Sequence, residues 1–166
     1  MVEITISLML QMIQTVGILV GIFYYLMTLR NQNKTRRGQL LMQTYGRIDQ
    51  PDRIKALSSM MTTWNFENGQ QFAEKLRNDP DFLYDFGNIT LFMEGLGSMV
   101  RLNYIDIDGV AALFGGGITE YWRKIMPCKD EITKVLYPSW YLETELLYNE
   151  LQKYAKTHPE QLIPIT

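Results

Sequence analysis

The residue that comes nearest to acid–base chemistry is Glu94, in the run LFMEGLG. It lies beside the apolar stripe of the longest predicted soluble helix, which is formed by Phe82, Phe86, Ile89, Met93, Leu96, Gly97 and Val100. A partly buried carboxyl group can have a raised pKa and act as a general acid. Such a carboxylate more often stabilises a fold by accepting hydrogen bonds. Arg123 and Trp122 are the candidate donors. No histidine lies near Glu94 in the sequence, so the structural role is favoured and a hydrolase using Glu94 is the alternative.

Other residues of the types that form nucleophiles or metal ligands are scarce. His158 is the only histidine and Cys128 the only cysteine. Zinc sites combine several such ligands, so one residue of each type does not favour a metal site. Lys129 can lower the pKa of the Cys128 thiol, but a cysteine nucleophile also needs a general base, and no histidine accompanies it. The sequence therefore predicts no metal ion, no cofactor and no catalytic residue beyond the weak candidate Glu94.

Charge is distributed unevenly along the chain. Of the 166 residues, 46 % are hydrophobic and 20 % are charged, which suffices for a packed domain plus an anchor. Arg30, Lys34, Arg36 and Arg37, here called the basic flank, place four positive charges within eight residues. Residues 38–166 carry 12 basic and 17 acidic residues. A domain with this negative balance does not attract phosphate backbones, so we expect no nucleic-acid partner.

Residues 4–29 contain no Asp, Glu, Lys, Arg or His. As a helix this segment would be about 39 Å long, against roughly 30 Å for the hydrocarbon core of a bilayer. A cleaved signal peptide would have basic residues before the apolar run and an A-x-A-like site after it, and this sequence has neither. A buried core helix is usually shorter and has a polar face. We therefore predict one transmembrane helix surrounded by lipid.

The basic flank also predicts the orientation of that helix. Its four cations directly follow the apolar run, whereas only Glu3 and the terminal amine precede it. The positive-inside rule then places Met1 outside and the chain from Arg30 onward in the cytoplasm. The same cations gain about 1 kcal/mol each beside anionic lipid headgroups. The expected location is the cell membrane, with a single pass.

Small and polar residues recur on one side of the predicted span. Ser7, Gln14, Gly21 and Thr28 follow each other every seven residues, and Gly17 lies on the same side. Lipid gives no reason to gather these five residues, here called the small-polar stripe, whereas a second helix does. The Gly17-x-x-x-Gly21 pair favours a right-handed crossing and the seven-residue repeat a left-handed one, and both remain open. We expect association with a second copy or with another membrane subunit.

Helical periodicity continues after the span, and no stretch alternates as a strand does. The first helix is expected to reach about Tyr45, and Pro51, Asn68 and the pair Asp79-Pro80 mark further helix starts. The predicted soluble helices cover residues 51–63, 69–77, 80–102, 108–126, 130–136 and 138–157. The predicted fold class is all-α, with one N-terminal transmembrane helix followed by a small cytoplasmic helical bundle.

Aromatic residues are concentrated toward the C-terminal end of the chain. A surface rich in tyrosine and tryptophan is typical of docking sites, and such residues are equally typical of the half-buried rim of a small bundle. The sequence leaves both interpretations open. The residues concerned are Tyr104, Tyr121, Trp122, Tyr137, Trp140, Tyr141, Tyr148 and Tyr154.

Four runs together carry a family resemblance: IQTVGILVGIFYYLMTLRNQNKTR, FMEGLGSMV, EYWRKIMP and ETELLYNEL. The chain resembles a group of small uncharacterised prokaryotic proteins, of a domain-of-unknown-function type. The resemblance implies one N-terminal span, a basic juxtamembrane stretch and a cytoplasmic helical domain. It brings no activity, cofactor or functional residue to carry over.

The sequence thus predicts four segments with different roles. These are a transmembrane anchor (1–30), a basic juxtamembrane helical extension (31–46), a cytoplasmic helical domain (47–157) and a flexible tail (158–166). The predicted function is protein–protein interaction, or service as an accessory subunit of a membrane complex, with association through the span. The alternative is a membrane-tethered hydrolase.

Overall fold

A computed structural model describes residues 6–159, and within that range the chain is helical and contains no strand. The all-α fold class is therefore confirmed. The prediction of a flexible tail falls mostly on residues 160–166, which lie outside the described residues, as do residues 1–5. The helices are α1 (Ile6–Gly46), α2 (Pro51–Thr63), α3 (Gly69–Asn78), α4 (Pro80–Arg101), α5 (Ile107–Ile125), a 3-10 turn (Met126–Cys128), α6 (Lys129–Val135) and α7 (Leu142–Thr157).

The chain divides into two units, and the division falls inside α1. The first unit ends at Gln39 and the second begins at Leu40, within the predicted juxtamembrane extension. No Pro interrupts the first helix, and Gly38 only weakens it locally, since glycine in a helix costs about 1 kcal/mol relative to alanine. The helix accordingly reaches Gly46, which confirms the predicted end near Tyr45.

Helix starts in the second unit follow the predicted signals. The Asn68 side chain accepts a hydrogen bond from the backbone N–H of Gln71 at 3.0 Å, and Asp79 accepts one from Phe82 at 2.9 Å. Each side chain satisfies an amide that the first turn leaves unpaired. Pro51 and Pro80 stand at the first helical position, where a missing N–H removes no helix bond.

The core of the second unit is built around α4, which packs against α2, α3 and α7. Its predicted inward residues from Phe82 to Gly97 are buried, and Val100 is half-buried. An aromatic cluster fills the space between α2, α3 and α4. The Trp64 ring lies 5.4 Å from that of Phe82, and the Phe72 ring lies 5.3 Å from that of Phe86. These centroid distances and tilted planes are the geometries that aromatic pairs prefer.

The start of α7 differs from the prediction. The sequence placed it at Pro138, but residues 138–141 form a turn and the helix begins at Leu142. The backbone N–H of Trp140 donates to the carbonyl of Tyr137 at 3.2 Å, and the Trp140 side chain is buried in the core. Burial of this large side chain selects a turn where proline alone would have allowed a helix, because tertiary packing outweighs local propensity.

Candidate functional site

The first unit contains the long apolar part of α1. Within the described residues, α1 is the only helix long and apolar enough to cross a membrane, judged by length and composition. No residue of α1 is buried. A helix that serves a soluble core buries one face, and the part of α1 in the first unit has no such face.

The five residues of the small-polar stripe lie on this helix. Four of them are exposed and Thr28 is half-buried. A Cβ added at Gly17 or Gly21 would have nothing within 4 Å. The Thr28 hydroxyl donates to the backbone carbonyl of Tyr24 at 2.9 Å, so within the stripe it offers a small side chain and an acceptor oxygen.

The basic flank also belongs to α1. Arg30, Lys34 and Arg36 are exposed and Arg37 is half-buried. The helix is continuous through all four residues, so the cations occupy fixed angular positions around it. This arrangement can bind anionic groups, and it carries none of the geometry of a catalytic site.

Glu94 has a defined structural role, and its predicted partners were wrong. Its carboxylate accepts hydrogen bonds from the backbone N–H groups of Glu143 (3.2 Å) and Thr144 (2.9 Å). The Thr144 hydroxyl donates to it at 2.5 Å. These amides belong to the first turn of α7, whose own N-cap residue, Tyr141, makes no side-chain capping bond. Glu94 therefore caps α7 from a neighbouring helix and places negative charge at the positive end of its dipole.

Arg123, one of the two predicted partners of Glu94, pairs with an acid on its own helix instead. Its guanidinium donates to both carboxylate oxygens of Glu120, at 2.6 and 2.8 Å. This hydrogen bond to Arg123 holds the pKa of Glu120 below its usual range. The side chain of Trp122, the other predicted partner, is buried, and its ring lies 5.8 Å from that of Tyr148.

A second tie joins α4 to the start of α7. Arg101, in the last turn of α4, donates from Nε to both carboxylate oxygens of Glu143 at 2.9 Å. The sequence reasoning missed this pair because 42 residues separate its members. Gly97 was the available signal: a glycine on the buried face of α4 permits close approach of another element, and the Glu143 backbone lies against it.

The two remaining titratable candidates, Cys128 and His158, make packing contacts. Burial raises the pKa of the Cys128 thiol, so the predicted influence of Lys129 is not the dominant one, and a protonated thiol is a weak nucleophile. The His158 ring stacks on Tyr154 with centroids 4.2 Å apart. Across residues 6–159, no group of three or more His, Cys, Asp or Glu side chains is arranged to hold a metal ion.

The aromatic residues near the C-terminal end mostly pack inward. Tyr121 and Trp140 are fully buried, and burial raises the pKa of Tyr121 well above its usual range. The Tyr121 hydroxyl shares a 2.8 Å hydrogen bond with Thr90. Tyr104 and Tyr137 are exposed and do not by themselves form a surface. The structure therefore favours the rim interpretation over the docking one.

A cavity of about 450 Å³ lies where the end of α4 and the start of α5 meet α7. Val100, Ile105 and Leu147 contribute apolar wall, and four charged residues also line the cavity, namely Arg101, Asp106, Asp108 and Glu150. Arg101 is paired with Glu143, and Glu150 with Lys153 at 2.6 Å. Because its one cation is already engaged by Glu143, this mixed lining does not by itself identify a ligand.

Comparison with known proteins adds no function to this geometry. No protein-family model, no curated protein and no solved structure matches the chain. The family resemblance described above therefore remains a prediction.

Proposed function

We propose that the chain is a membrane-anchored helical protein that works in protein–protein interaction, or as an accessory subunit of a membrane complex, by association of its spanning helix. The observation that carries this proposal is the exposed apolar surface of α1. Sixteen large apolar side chains between Ile6 and Met27 are exposed. Transfer of such a side chain from water contributes about 1.5–3 kcal/mol, so lipid contact would stabilise the helix by on the order of 20 kcal/mol.

An N-terminal apolar helix can instead be a cleavable signal sequence. Three features favour an anchor: the uncharged run is longer than a signal peptide needs, no A-x-A-like site follows it, and the cations come after it. The helix also continues past the basic flank to Gly46. A cleavage site at its end would require the helix to open first.

Orientation follows from the basic flank. We place the second unit, from Leu40 onward, in the cytoplasm, because cations that follow a span stay on the cytoplasmic side. An anchor of this kind confines the helical domain to the membrane plane, which raises its effective concentration for any partner there. No enzymatic step enters this mechanism, and the capping role of Glu94 accounts for the one acid that suggested hydrolysis.

The topology test uses the full-length chain in the cells that express it, with a short epitope at either end. We expect the chain to remain in the membrane after alkaline carbonate washing and to keep its uncleaved mass, which is 19.4 kDa plus that of the epitope. Protease added to intact cells should remove the N-terminal epitope and leave the C-terminal one. A soluble or shortened chain, or loss of the C-terminal epitope, would contradict the proposal.

The association test uses the double substitution Gly17→Ile and Gly21→Ile. We expect association of the span to weaken by about tenfold, roughly 1.4 kcal/mol, because isoleucine side chains hold the backbones apart where glycine permits their close approach. Nothing in the chain lies within 4 Å of a Cβ at either glycine, so the substitutions do not disturb contacts within the chain. The measurement is oligomer mass in mild detergent, together with recovery of co-purifying subunits.

The matched control for this double substitution is Val16→Ile with Val20→Ile. It has the same spacing, and at about 100° per residue it lies about 100° around the helix from the glycine pair, outside the small-polar stripe. Both valines are exposed. Association should survive the control. Equal oligomer mass and equal partner recovery in the two double variants would remove the small-polar stripe as the contact.

A further inference from the structure

The register of the small-polar stripe extends beyond the apolar run. Ser7, Gln14, Gly21 and Thr28 recur every seven residues, and Thr35 is the next position in the series. At about 100° per residue, seven residues rotate through about 700°, which is about 20° less than two full turns. Successive members of the series are therefore displaced by only about 20° around the helix. The series therefore drifts slowly around one side of α1, within an arc of about 80°.

Further uncharged residues occupy the same arc. Gln32 and Gln39 fall inside it, as do Leu10, Gly17 and Tyr25. The resulting surface, here called the long stripe, runs from Ser7 to Gln39 and contains no charged residue. Its soluble end borders an open groove of about 550 Å³, lined by side chains that can form hydrogen bonds and that include no acid. These are Thr28, Asn31, Gln32, Thr35, Arg36 and Gln39.

The cations of α1 lie mainly on the other side. Arg30, Lys34 and Arg37 are spaced i, i+4, i+7, which places them on one face about 140° to 180° from the middle of the long stripe. Arg36 lies about 60° from the middle of the stripe, at its edge. In this segment a polar, uncharged face is therefore opposed to a cationic one.

We propose that a second copy of this chain packs along the long stripe, in a parallel pair that begins in the bilayer and continues to Gln39. This deepens the proposed function and rests on it, because two copies inserted in the same orientation are necessarily parallel. Identical residues then meet in register. Each glutamine side chain both donates and accepts hydrogen bonds, so it can pair with its own copy.

Charge is the reason to choose a second copy as the occupant. A like-charged copy is tolerated only where the cations stay apart. Two helices side by side are about 20 Å across. The exposed Arg30 and Lys34 of the two copies, on the faces turned away from the pair, are therefore separated by more than the screening length of about 8 Å at physiological ionic strength. A partner bearing acids would bind the cationic face instead.

The extended repeat also decides between the two handed crossings. A seven-residue repeat sustained from Ser7 to Thr35 keeps the long stripes of the two copies in contact in a left-handed pair. In a right-handed pair crossing by about 40° at Gly21, the axes would be roughly 16 Å apart at residue 35. Contact at the soluble end therefore requires the left-handed arrangement.

The test is disulfide formation between copies of the purified full-length chain in lipid nanodiscs. Single cysteines replace Gln14, Gly21 and each residue from 28 to 39 in turn, in a Cys128→Ala background, and a mild oxidant is added. Disulfides require Cα atoms about 4.4–6.8 Å apart. We expect a product of twice the chain mass for Thr28→Cys, Gln32→Cys, Thr35→Cys and Gln39→Cys, and at least fivefold less for Arg30→Cys, Asn33→Cys and Lys34→Cys.

A second pair of variants avoids the cysteine background. Gln32→Glu introduces a carboxylate into the long stripe. Asn33→Glu introduces the same charge outside the long stripe, on the side that carries Arg30 and Lys34. Both positions are exposed. We expect the first to lower the dimer fraction several-fold and the second to leave it unchanged. Equal effects of the two substitutions would overturn the proposed register.

The outcomes separate this inference from the function on which it rests. Cross-linking at Gln14→Cys and Gly21→Cys without any at residues 32, 35 and 39 would overturn the extended pair and leave association of the span intact. Cross-links as strong at residues 30 and 34 as at 32 and 35 would overturn the register. A monomeric chain without cross-links at any position would overturn homodimerisation both in the span and in its extension to Gln39.

Discussion

Replacing Gly97 with alanine is expected to destabilise the helical domain by at least about 2 kcal/mol. A Cβ at this position would overlap the backbone carbonyl of Glu143, at the point where α4 meets the start of α7. Backbone atoms cannot rotate away as a flexible side chain can, so the two helices must separate. Separation would also lengthen the hydrogen bonds from α7 to Glu94 and the Arg101–Glu143 pair, because all three contacts lie at the same crossing.

Gly95→Ala is the matched control for this substitution. Gly95 lies two residues away on the same helix, and a Cβ there would have nothing within 4 Å. Removal of an exposed helical glycine should stabilise the domain by about 0.5–1 kcal/mol. The measurement is denaturant unfolding of the full chain in nonionic detergent, followed by tryptophan fluorescence. Destabilisation of similar size in both variants would show that helix propensity, and not the crossing, governs this region.

Glu94→Ala is expected to cost the domain about 2–3 kcal/mol of unfolding free energy. The substitution removes the acceptor for two first-turn amides of α7 and for the Thr144 hydroxyl. Loss of an N-cap costs about 0.5–2 kcal/mol, and hydrogen bonds to a charged acceptor contribute about 1.5–3 kcal/mol. The Thr144 hydroxyl would also lose its acceptor at a fully buried residue, which adds to the cost.

Two further variants divide this effect into parts. Glu94→Gln keeps one carbonyl acceptor and removes the charge, so we expect a loss of about 1 kcal/mol, less than for alanine. Thr144→Val removes the hydroxyl and leaves the amide bonds, with an expected loss of about 1 kcal/mol. Helicity measured by circular dichroism should fall most for Glu94→Ala, since only that variant leaves the α7 start without a carbonyl or carboxylate acceptor. An alanine variant as stable as the native chain would show that α7 does not depend on this cap.

Both predictions concern the crossing of α4 with the start of α7. The sequence indicated single residues of this crossing but not that they meet. The apolar periodicity of α4 placed Gly97 on the buried face and Glu94 beside it, and the structure confirms both positions. Periodicity reports which face of a helix is buried, but it does not report which element covers that face. The partner predicted for Glu94 was wrong for this reason: nothing local to α4 identifies α7, 50 residues later in the chain.

The aromatic residues also show that packing decides what local sequence leaves open. The sequence left a docking surface and a half-buried rim equally open, because amphipathic rings serve both purposes. Packing separates the two: the Trp140 ring lies 5.6 Å from that of Phe86 in the core, whereas Tyr104 and Tyr137 face outward. The same burial of Trp140 accounts for the start of α7 at Leu142 and not at the predicted Pro138.

The sequence by itself determined the features that depend on neighbours along the chain. The all-α class, the long apolar helix and its end, and the caps at Asn68 and Asp79 all follow from spacing, charge and side-chain type, because helices form from contacts three or four residues apart. The tertiary structure alone decided the capping of α7 by Glu94, the close crossing at Gly97 and the turn at Trp140. These depend on which surfaces meet across distant segments, and a buried amide or a large ring is satisfied wherever the fold brings it a partner.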